Sequence, residues 1–243
     1  MNLATNRKNE ILVLVPSYND METVVGVEDA IASINGPFRT LILDDGSVNA
    51  GTFAERRKKT TLFFRLPGNF GLGSCMHIGI DHMLKYGYSA LVRIDADGQH
   101  PASQIPLIVA PLLEHGADMV IGSRKNHNEG KGIGVIVRRL IKGYFSNVAR
   151  LIGGKNAPKD VNTGFFALNV KAARTLNQFQ LERFPEPEMF ILACREKLQI
   201  KEVFIDQSDR KQGKSSLGLI HAARLFYRFN IFVFLELFRE TKK

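Results

Sequence analysis

Two aspartates stand one residue apart in the segment RIDADGQHP, directly after an apolar run. In an extended chain, residues i and i+2 project to the same side, so Asp95 and Asp97 can face one cation and Gln99 can add a carbonyl oxygen. Hard oxygen ligands suit Mg²⁺ or Mn²⁺, and Mg²⁺ usually completes its coordination with water and substrate phosphates. The segment therefore predicts a metal site with a phosphorylated ligand. The alternative is a turn in which one aspartate caps the next helix.

Three further polar segments follow apolar runs. LILDDGS presents Asp44 and Asp45 as acceptors for a ribose or a base, although Asp-Gly-Ser is also a common turn. PSYN offers Tyr18 as a stacking face and Asn19 as a hydrogen-bonding group. RLPGNFGLGS is glycine-rich ahead of a predicted helix, which suits a phosphate but is equally typical of a simple turn.

The elements that must hold these segments alternate between short apolar runs and stretches of helical period. Strands are predicted at 11–15, 40–44, 62–66, 90–94, 119–122, 163–169 and 201–206. Helices are predicted at 21–34, 74–86, 103–115, 135–152 and 186–199. This alternation predicts an α/β fold with a Rossmann-like, mostly parallel central sheet covered by helices. Ligands bind outside the carboxyl ends of strands in such sheets, so we expect the polar segments to line one site.

The composition places the chain among ordinary globular proteins that attract phosphates. Its 243 residues carry a formal net charge of +9, which favours nucleic acid, anionic lipid or phosphorylated small molecules as partners. Only two cysteines occur, far apart and without metal-type spacing, so reduced thiols in a cytosolic protein are expected. The polar N-terminus and the short apolar run ILVLV predict neither a signal peptide nor a membrane span there.

Eight segments together resemble family 2 glycosyltransferases of the GT-A fold: VPSYND, LILDDGS, RLPGNFGLGS, RIDADGQHPASQIP, VIGSR, DVNTGFFALN, FPEPEM and DRKQGKSS. The most similar group is the dolichyl- or polyprenyl-phosphate sugar transferases and their bacterial polysaccharide relatives. The resemblance covers roughly residues 10–218, and DADGQHP and the R-x-x-G-x-S element are its most specific parts. It implies an inverting enzyme that moves a sugar from a nucleotide-sugar donor to a polyprenyl-phosphate acceptor.

The resemblance also implies a role for each matching residue. The donor nucleotide would be held by Pro16, Tyr18, Asn19, Asp44, Asp45, Gly71, Asp95 and Ala96. The Mg²⁺ or Mn²⁺ ion that bridges the donor diphosphate would be held by Asp95, Asp97 and Gln99. The acceptor phosphate would meet Arg124, one of Arg138 and Arg139, and Arg210 with Ser215. The acceptor side would also include Asp160, Thr163 and Gly164.

The acceptor decides whether the reaction needs a catalytic base. A phosphate acceptor is already an anion, whereas a sugar hydroxyl of a lipid-linked glycan, the alternative acceptor, would need one. The candidates are Glu186 and Glu188, with Asp160 behind them. Asp97 would act through the cation that stabilises the departing diphosphate. For Glu188 the alternative is a first-turn acid that the helix dipole favours.

The segment 211–243 differs from the catalytic domain predicted at 1–210, because aromatic and aliphatic residues dominate it yet charges interrupt it. Its longest uncharged run, 229–235, is too short to span a bilayer. We expect an amphipathic helix that lies on the cytosolic face of an anionic membrane or on a small membrane partner protein. A homo-oligomer contact and packing on the chain's own core are the alternatives.

The sequence argues against two other classes of protein. A nucleotidyltransferase would carry a glycine-rich basic loop after the first strand, where this chain has PSYNDMET. A nucleic-acid-binding module fits the charge, but no recognition helix or aromatic sheet motif supports it, so nucleic acid is not an expected partner.

The basic, glycine-rich residues 124–139 predict either a lid over the site or a solvated loop.

Overall fold

A seven-stranded sheet forms the centre of the part of the chain that the computed structural model describes. The described residues are 7–48, 57–114, 116–124, 133–154, 157–161, 163–181, 185–206 and 219–239. The strands are β1 (Ile11–Ser17), β2 (Phe38–Asp44), β3 (Leu62–Arg65), β4 (Ala90–Arg93), β5 (Met119–Arg124), β6 (Phe166–Asn169) and β7 (Ile200–Ile205). Their order across the sheet is β3-β2-β1-β4-β6-β5-β7.

The sheet is mostly parallel, as predicted. Strands β1, β2, β3 and β4 pair in parallel, and so do β5 and β7. Strand β6 runs antiparallel to both of its neighbours, β4 and β5. Because β1 is continuous and apolar, its side chains fill cores on both faces of the sheet, Leu12 and Leu14 on one and Ile11, Val13 and Val15 on the other.

Helices cover both faces. They are α1 (Met21–Ala32), α2 (Leu72–Tyr86), α3 (Ile105–Glu114), α4 (Ile133–Gly153), α5 (Val170–Leu176), α6 (Glu186–Arg195) and α7 (Leu219–Phe238). Apolar side chains of α1 and α3 fill one core, and those of α2, α4, α5 and α6 fill the other. Each helix is held chiefly by this burial, since short helices are marginal in isolation.

The predicted elements differ from the structure at three places in the second half. Strand β6 begins at Phe166 rather than at 163, because the Thr163 hydroxyl accepts a hydrogen bond from the Phe165 N–H and forms a local turn. Helix α5 was not predicted, although Asn169 caps it by accepting the Ala172 N–H. The helix predicted at 186–199 ends at Arg195, since Lys197 adopts a left-handed conformation with φ of 57°.

Helix α7 packs one of its faces on the rest of the protein. Phe229 is buried, with its ring centroid 4.5 Å from that of Phe145 in α4. Arg195 of α6 donates hydrogen bonds to the carbonyl oxygens of Glu236 and Arg239. The alternative of packing on the chain's own core therefore holds for this face.

None of the described helices is long and apolar enough to cross a membrane. The predicted domain boundary at residue 210 lies outside the described residues.

Candidate active site

The predicted polar segments of β1, β2 and β4 meet at one edge of the sheet, because these three strands are parallel neighbours. Ser17 at the end of β1 pairs with Asp44 at the end of β2, and the Ser17 carbonyl accepts the Asp45 N–H at 2.8 Å. On the other side of β1, Leu14 pairs with Arg93, the last residue of β4. The loops after these strands therefore start side by side, as expected for an open α/β sheet.

The loops after β1 and β2 are tied together by Ser47. Its hydroxyl accepts the Asn19 N–H at 2.7 Å and donates to the carboxylate of Asp44, which also accepts the Ser47 N–H at 3.1 Å. Asn19 holds a left-handed conformation with φ of 59°, and its side-chain oxygen accepts the Val48 N–H at 3.2 Å. The fully buried Asp44 thus fixes the turn, while Tyr18 stays 46% exposed at the edge.

Asp45 anchors the glycine-rich loop. Its two carboxylate oxygens accept the backbone N–H groups of Phe70 and Gly71 at 2.7 and 2.8 Å. Gly46 has φ of +77°, and a Cβ there would lie 2.5 Å from the carbonyl carbon of Gly68. The two loops therefore approach backbone to backbone, which only glycine permits. The N–H of Gly71 that could have met a phosphate is directed at Asp45.

The two aspartates that follow β4 lie on a tight turn with partly exposed side chains. Oδ1 of Asp97 accepts the backbone N–H of Gln99 at 3.0 Å, and Gly98 supplies the left-handed φ of +71°. Ala96 between the aspartates is buried. A cleft of about 470 Å³ opens beside Asp97 and is bounded on its far side by α1.

The donor set suits a cation that is shared with phosphate groups. Within the described part of the chain, no group of three or more His, Cys, Asp or Glu side chains is placed to bind a metal. A protein that offers two carboxylates and leaves the other positions to water and substrate phosphates is the usual arrangement for Mg²⁺. Asp95 and Asp97 fit this description. The role predicted for the Gln99 side chain stays a prediction.

Arg93 is a member of the site that the sequence analysis missed. Its side chain is 2% exposed, donates from Nη2 to Oδ1 of Asp95 at 2.7 Å, and donates from Nη1 to Oε1 of Glu186 at 2.7 Å. Burial acts to lower the pKa of the guanidinium, but the two carboxylates outweigh it and hold that pKa above its ordinary value. The sequence signal that could have revealed this residue is the single arginine that ends the otherwise apolar strand β4, ALVR.

Gly164 of the DVNTGF segment lies against Asp95. A Cβ on Gly164 would be 2.0 Å from Oδ2 of Asp95, so the glycine backbone forms a wall behind this carboxylate. Thr163 is buried and donates its hydroxyl to the Gly122 carbonyl at 3.0 Å. The backbone N–H of Asp160 points at Oε1 of Glu202, 3.4 Å away. Gly164, expected on the acceptor side, therefore adjoins the predicted metal side.

The remaining predicted residues are placed only in part. Glu186 and Glu188 both lie in the first turn of α6, and Glu188 is buried. Arg124 ends β5, and Arg138 and Arg139 lie in the first half of α4. Arg210 and Ser215, like residues 125–132 of the predicted lid, lie outside the described residues.

Replacing Gly164 with alanine tests the contact with Asp95. The new Cβ must displace the carboxylate, so we expect Gly164→Ala to cost about 1–3 kcal/mol in the free energy of unfolding measured by urea denaturation. Gly143→Ala is the matched control, since Gly143 is an exposed helical glycine with open space around it. That change should gain about 0.5–1 kcal/mol. A Gly164→Ala protein as stable as the wild type would contradict the packing described above.

Comparisons with known proteins agree on one family. Residues 12–176 match the family model described as glycosyl transferase family 2. An undecaprenyl-phosphate mannosyltransferase of Micrococcus luteus is 28% identical over 221 residues, which cover 86% of this chain and 87% of the relative. A dolichyl-phosphate beta-glucosyltransferase of Trichomonas vaginalis is 25% identical over 246 residues, which cover 90% of this chain and 74% of the relative.

The fold has a solved counterpart. The crystal structure of glucosyl-3-phosphoglycerate synthase from Mycobacterium tuberculosis, in complex with Mn²⁺, uridine diphosphate and glucosyl-3-phosphoglycerate, matches with a TM-score of 0.70 at 15% identity. The match covers 97% of this chain and 84% of the synthase. Since the family model spans most of the chain and the sheet has the corresponding architecture, this chain belongs to glycosyltransferase family 2 and is a glycosyltransferase with the GT-A fold.

Proposed function

We propose that the protein is an inverting, metal-dependent glycosyltransferase that moves a sugar from a nucleotide-sugar donor to a polyprenyl-phosphate acceptor at the cytosolic face of a membrane. The observation that carries this proposal is the pair of partly exposed carboxylates, Asp95 and Asp97, directly after β4 at the carboxyl edge of the sheet, with a cleft beside Asp97. The two relatives described above carry the names of enzymes that act on undecaprenyl and dolichyl phosphate, which supports the acceptor.

The donor nucleotide would bind across the loops that follow β1 and β2. Tyr18 offers an exposed aromatic face on which a base can stack, and Pro16 and Asn19 flank it in the same segment. Asp45 already accepts two backbone N–H groups, but each carboxylate oxygen has a second lone pair for a ribose hydroxyl. Hydrogen bonds to Ser47 and to the glycine-rich loop hold these groups in place before the donor arrives.

The donor diphosphate would bind at the end of β4. Asp95 and Asp97 would hold Mg²⁺ or Mn²⁺, and the ion, when bound, stabilises the negative charge that develops on the departing diphosphate. The Mn²⁺ ion bound to glucosyl-3-phosphoglycerate synthase supports a divalent cation in this fold. Residues of this chain orient the carboxylate, because the Arg93 side chain and the Gly164 backbone fix how Asp95 presents its oxygens.

The placement of the candidate bases favours a phosphate acceptor over a sugar hydroxyl. Oε1 of Glu186 accepts a hydrogen bond from the buried Arg93 at 2.7 Å, so this oxygen is already engaged within the protein. Glu188 is buried in the first turn of α6. A phosphate oxygen is already charged and attacks without losing a proton, so this reaction runs without either group. The acceptor phosphate would be bound by Arg124, by Arg138 or Arg139, and by Arg210 with Ser215.

A transfer assay with undecaprenyl phosphate tests the function. With Mn²⁺ and a panel of radiolabelled UDP-, GDP- and dTDP-sugars, we expect one donor to give a labelled lipid of the sugar-phosphate type. Asp97→Ala should slow this transfer at least about 100-fold, because it removes a ligand of the catalytic cation. Asp29→Ala is the control, since Asp29 is an exposed carboxylate near the end of α1. Label found only on a sugar hydroxyl, or transfer that persists with EDTA, would contradict the proposal.

The outer face of α7 supports the proposed membrane contact. Tyr227, Ile231, Phe234 and Phe238 recur at spacings of four, three and four residues, are exposed, and lie opposite the buried Phe229. The last two rings are in contact, with their centroids 5.0 Å apart and their planes tilted by 59°. An apolar stripe beside basic residues binds the interface of an anionic membrane. Each basic residue near such a surface adds about 1 kcal/mol, and this stretch of the chain contains Lys242 and Lys243.

Vesicle cosedimentation tests the contact of α7 with a membrane. The double variant Phe234→Ser/Phe238→Ser should bind phosphatidylglycerol vesicles at least about tenfold more weakly than the wild type, because it removes two aromatic rings that would be buried in the membrane interface. Phe64→Ser is the matched control, since Phe64 is an exposed ring on the edge strand β3. Unchanged binding, together with a dimer that dissociates in the double variant, would instead identify the stripe as a contact between two copies of the chain.

A further inference from the structure

We propose that Arg93 and Glu186 are positioning residues that fix the orientation of Asp95 and set the charge of the metal-facing carboxylate pair. The inference deepens the proposed function and rests on it for the presence of a divalent cation. It assigns Glu186 to a buried ion pair rather than to a catalytic base. The geometry around Arg93 carries it.

Arg93 occupies a position where a cation is costly unless it is fully paired. It ends β4, its side chain is 2% exposed, and its guanidinium lies 5.6 Å from the centroid of the buried Phe166 ring. Taking an unpaired guanidinium out of water costs more than an isolated surface ion pair returns. Arg93 offsets this cost with one Nη group on Asp95 and the other on Glu186, both at 2.7 Å, while its buried Nε has no hydrogen-bond partner among the described residues. A lysine has no such fork and cannot bind both carboxylates at once in this way.

The bridge leaves Asp95 with one defined orientation. Oδ1 is held by Arg93, while Oδ2 lies against the backbone of Gly164 and 4.0 Å from Nε2 of His100. The carboxylate therefore presents the same oxygen to a ligand each time, and the side chain is still 33% exposed. Preorganisation of this kind spares a binding site the cost of fixing a rotamer when the ligand arrives.

Glu186 also restores the negative charge of the site. Asp95 and Asp97 offer two negative charges to a divalent cation, but a buried guanidinium next to Asp95 cancels one of them. The carboxylate of Glu186 on the far side of Arg93 cancels the guanidinium in turn. Because the guanidinium is buried, removing this carboxylate leaves an uncompensated cation that competes with the metal for Asp95.

The same ion pair joins the two halves of the site. Glu186 is the first residue of α6, and α6 packs against α4, which carries the predicted acceptor arginines Arg138 and Arg139. Arg93 belongs to the strand that ends at the metal-facing pair. The ion pair therefore links the strand that ends at the metal-facing pair to the helix that packs on α4.

Manganese titration followed by electron paramagnetic resonance, with UDP or GDP present, tests the inference without turnover. Glu186→Gln keeps the shape of the side chain and removes its charge, so Mn²⁺ affinity should fall about tenfold. The double variant Arg93→Met/Glu186→Gln should bind Mn²⁺ no more weakly than Glu186→Gln, since both changes break one bridge. Lys171→Met is the control, because its 2.7 Å ion pair with Asp118 lies at the other end of the strands, where β4 and β5 begin. It should alter the urea unfolding midpoint and leave Mn²⁺ affinity unchanged.

The outcomes separate the two levels of the account. Wild-type Mn²⁺ affinity in Glu186→Gln, with only the unfolding midpoint shifted as in Lys171→Met, would overturn the inference and leave the proposed function standing. A tenfold loss in Glu186→Gln, in a protein that transfers no sugar to a lipid phosphate, would support the inference and overturn the acceptor. A wild-type chain that binds no Mn²⁺ with either nucleotide would overturn both.

Discussion

A cluster of like charges at the end of β4 is the feature on which the site depends. Asp95 and Glu186 both bind the guanidinium of Arg93, although 93 positions separate Glu186 from Arg93 in the chain. Asp97 follows Asp95 on the same turn. As a general scale, two bare carboxylates repel by roughly 4 kcal/mol at about 4 Å and an effective dielectric of 20. The buried guanidinium of Arg93 lies between Asp95 and Glu186 and offsets their repulsion within the protein. A divalent cation with its phosphates would offset the repulsion between Asp95 and Asp97.

The fold and the location of the site follow from local sequence. Parallel strands buried on both faces read as continuous apolar runs, and helical stretches lie between them, so the alternation was enough to predict the sheet. The rule that ligands bind beyond the carboxyl ends of strands then placed Tyr18, Asp45 and Asp97 at one edge. The turn after Asp97 was also readable, because Gly98 takes up the left-handed backbone that such a turn requires.

The contacts that organise the site depend on residues far apart in the chain, which periodicity cannot reveal. Strand β6 inserts antiparallel between β4 and β5, and the turn that precedes it brings Gly164 against Asp95. Asp45 was expected to face the nucleotide, yet it also holds the glycine-rich loop by two hydrogen bonds. In contrast, the short helix α5 carried a local signal, since Asn169 is a strong N-cap residue that precedes a stretch containing two alanines.

The central claim is that Asp95 and Asp97 share one divalent cation with the diphosphate of an activated sugar. A crystal structure of the protein with Mn²⁺ and the nucleoside diphosphate of its donor, phased to show the anomalous signal of manganese, tests this most directly. The account predicts one manganese peak about 2.1 Å from a carboxylate oxygen of each aspartate and bound to phosphate oxygens on its other side. Nucleotide bound at this edge with no manganese between the two carboxylates would contradict it.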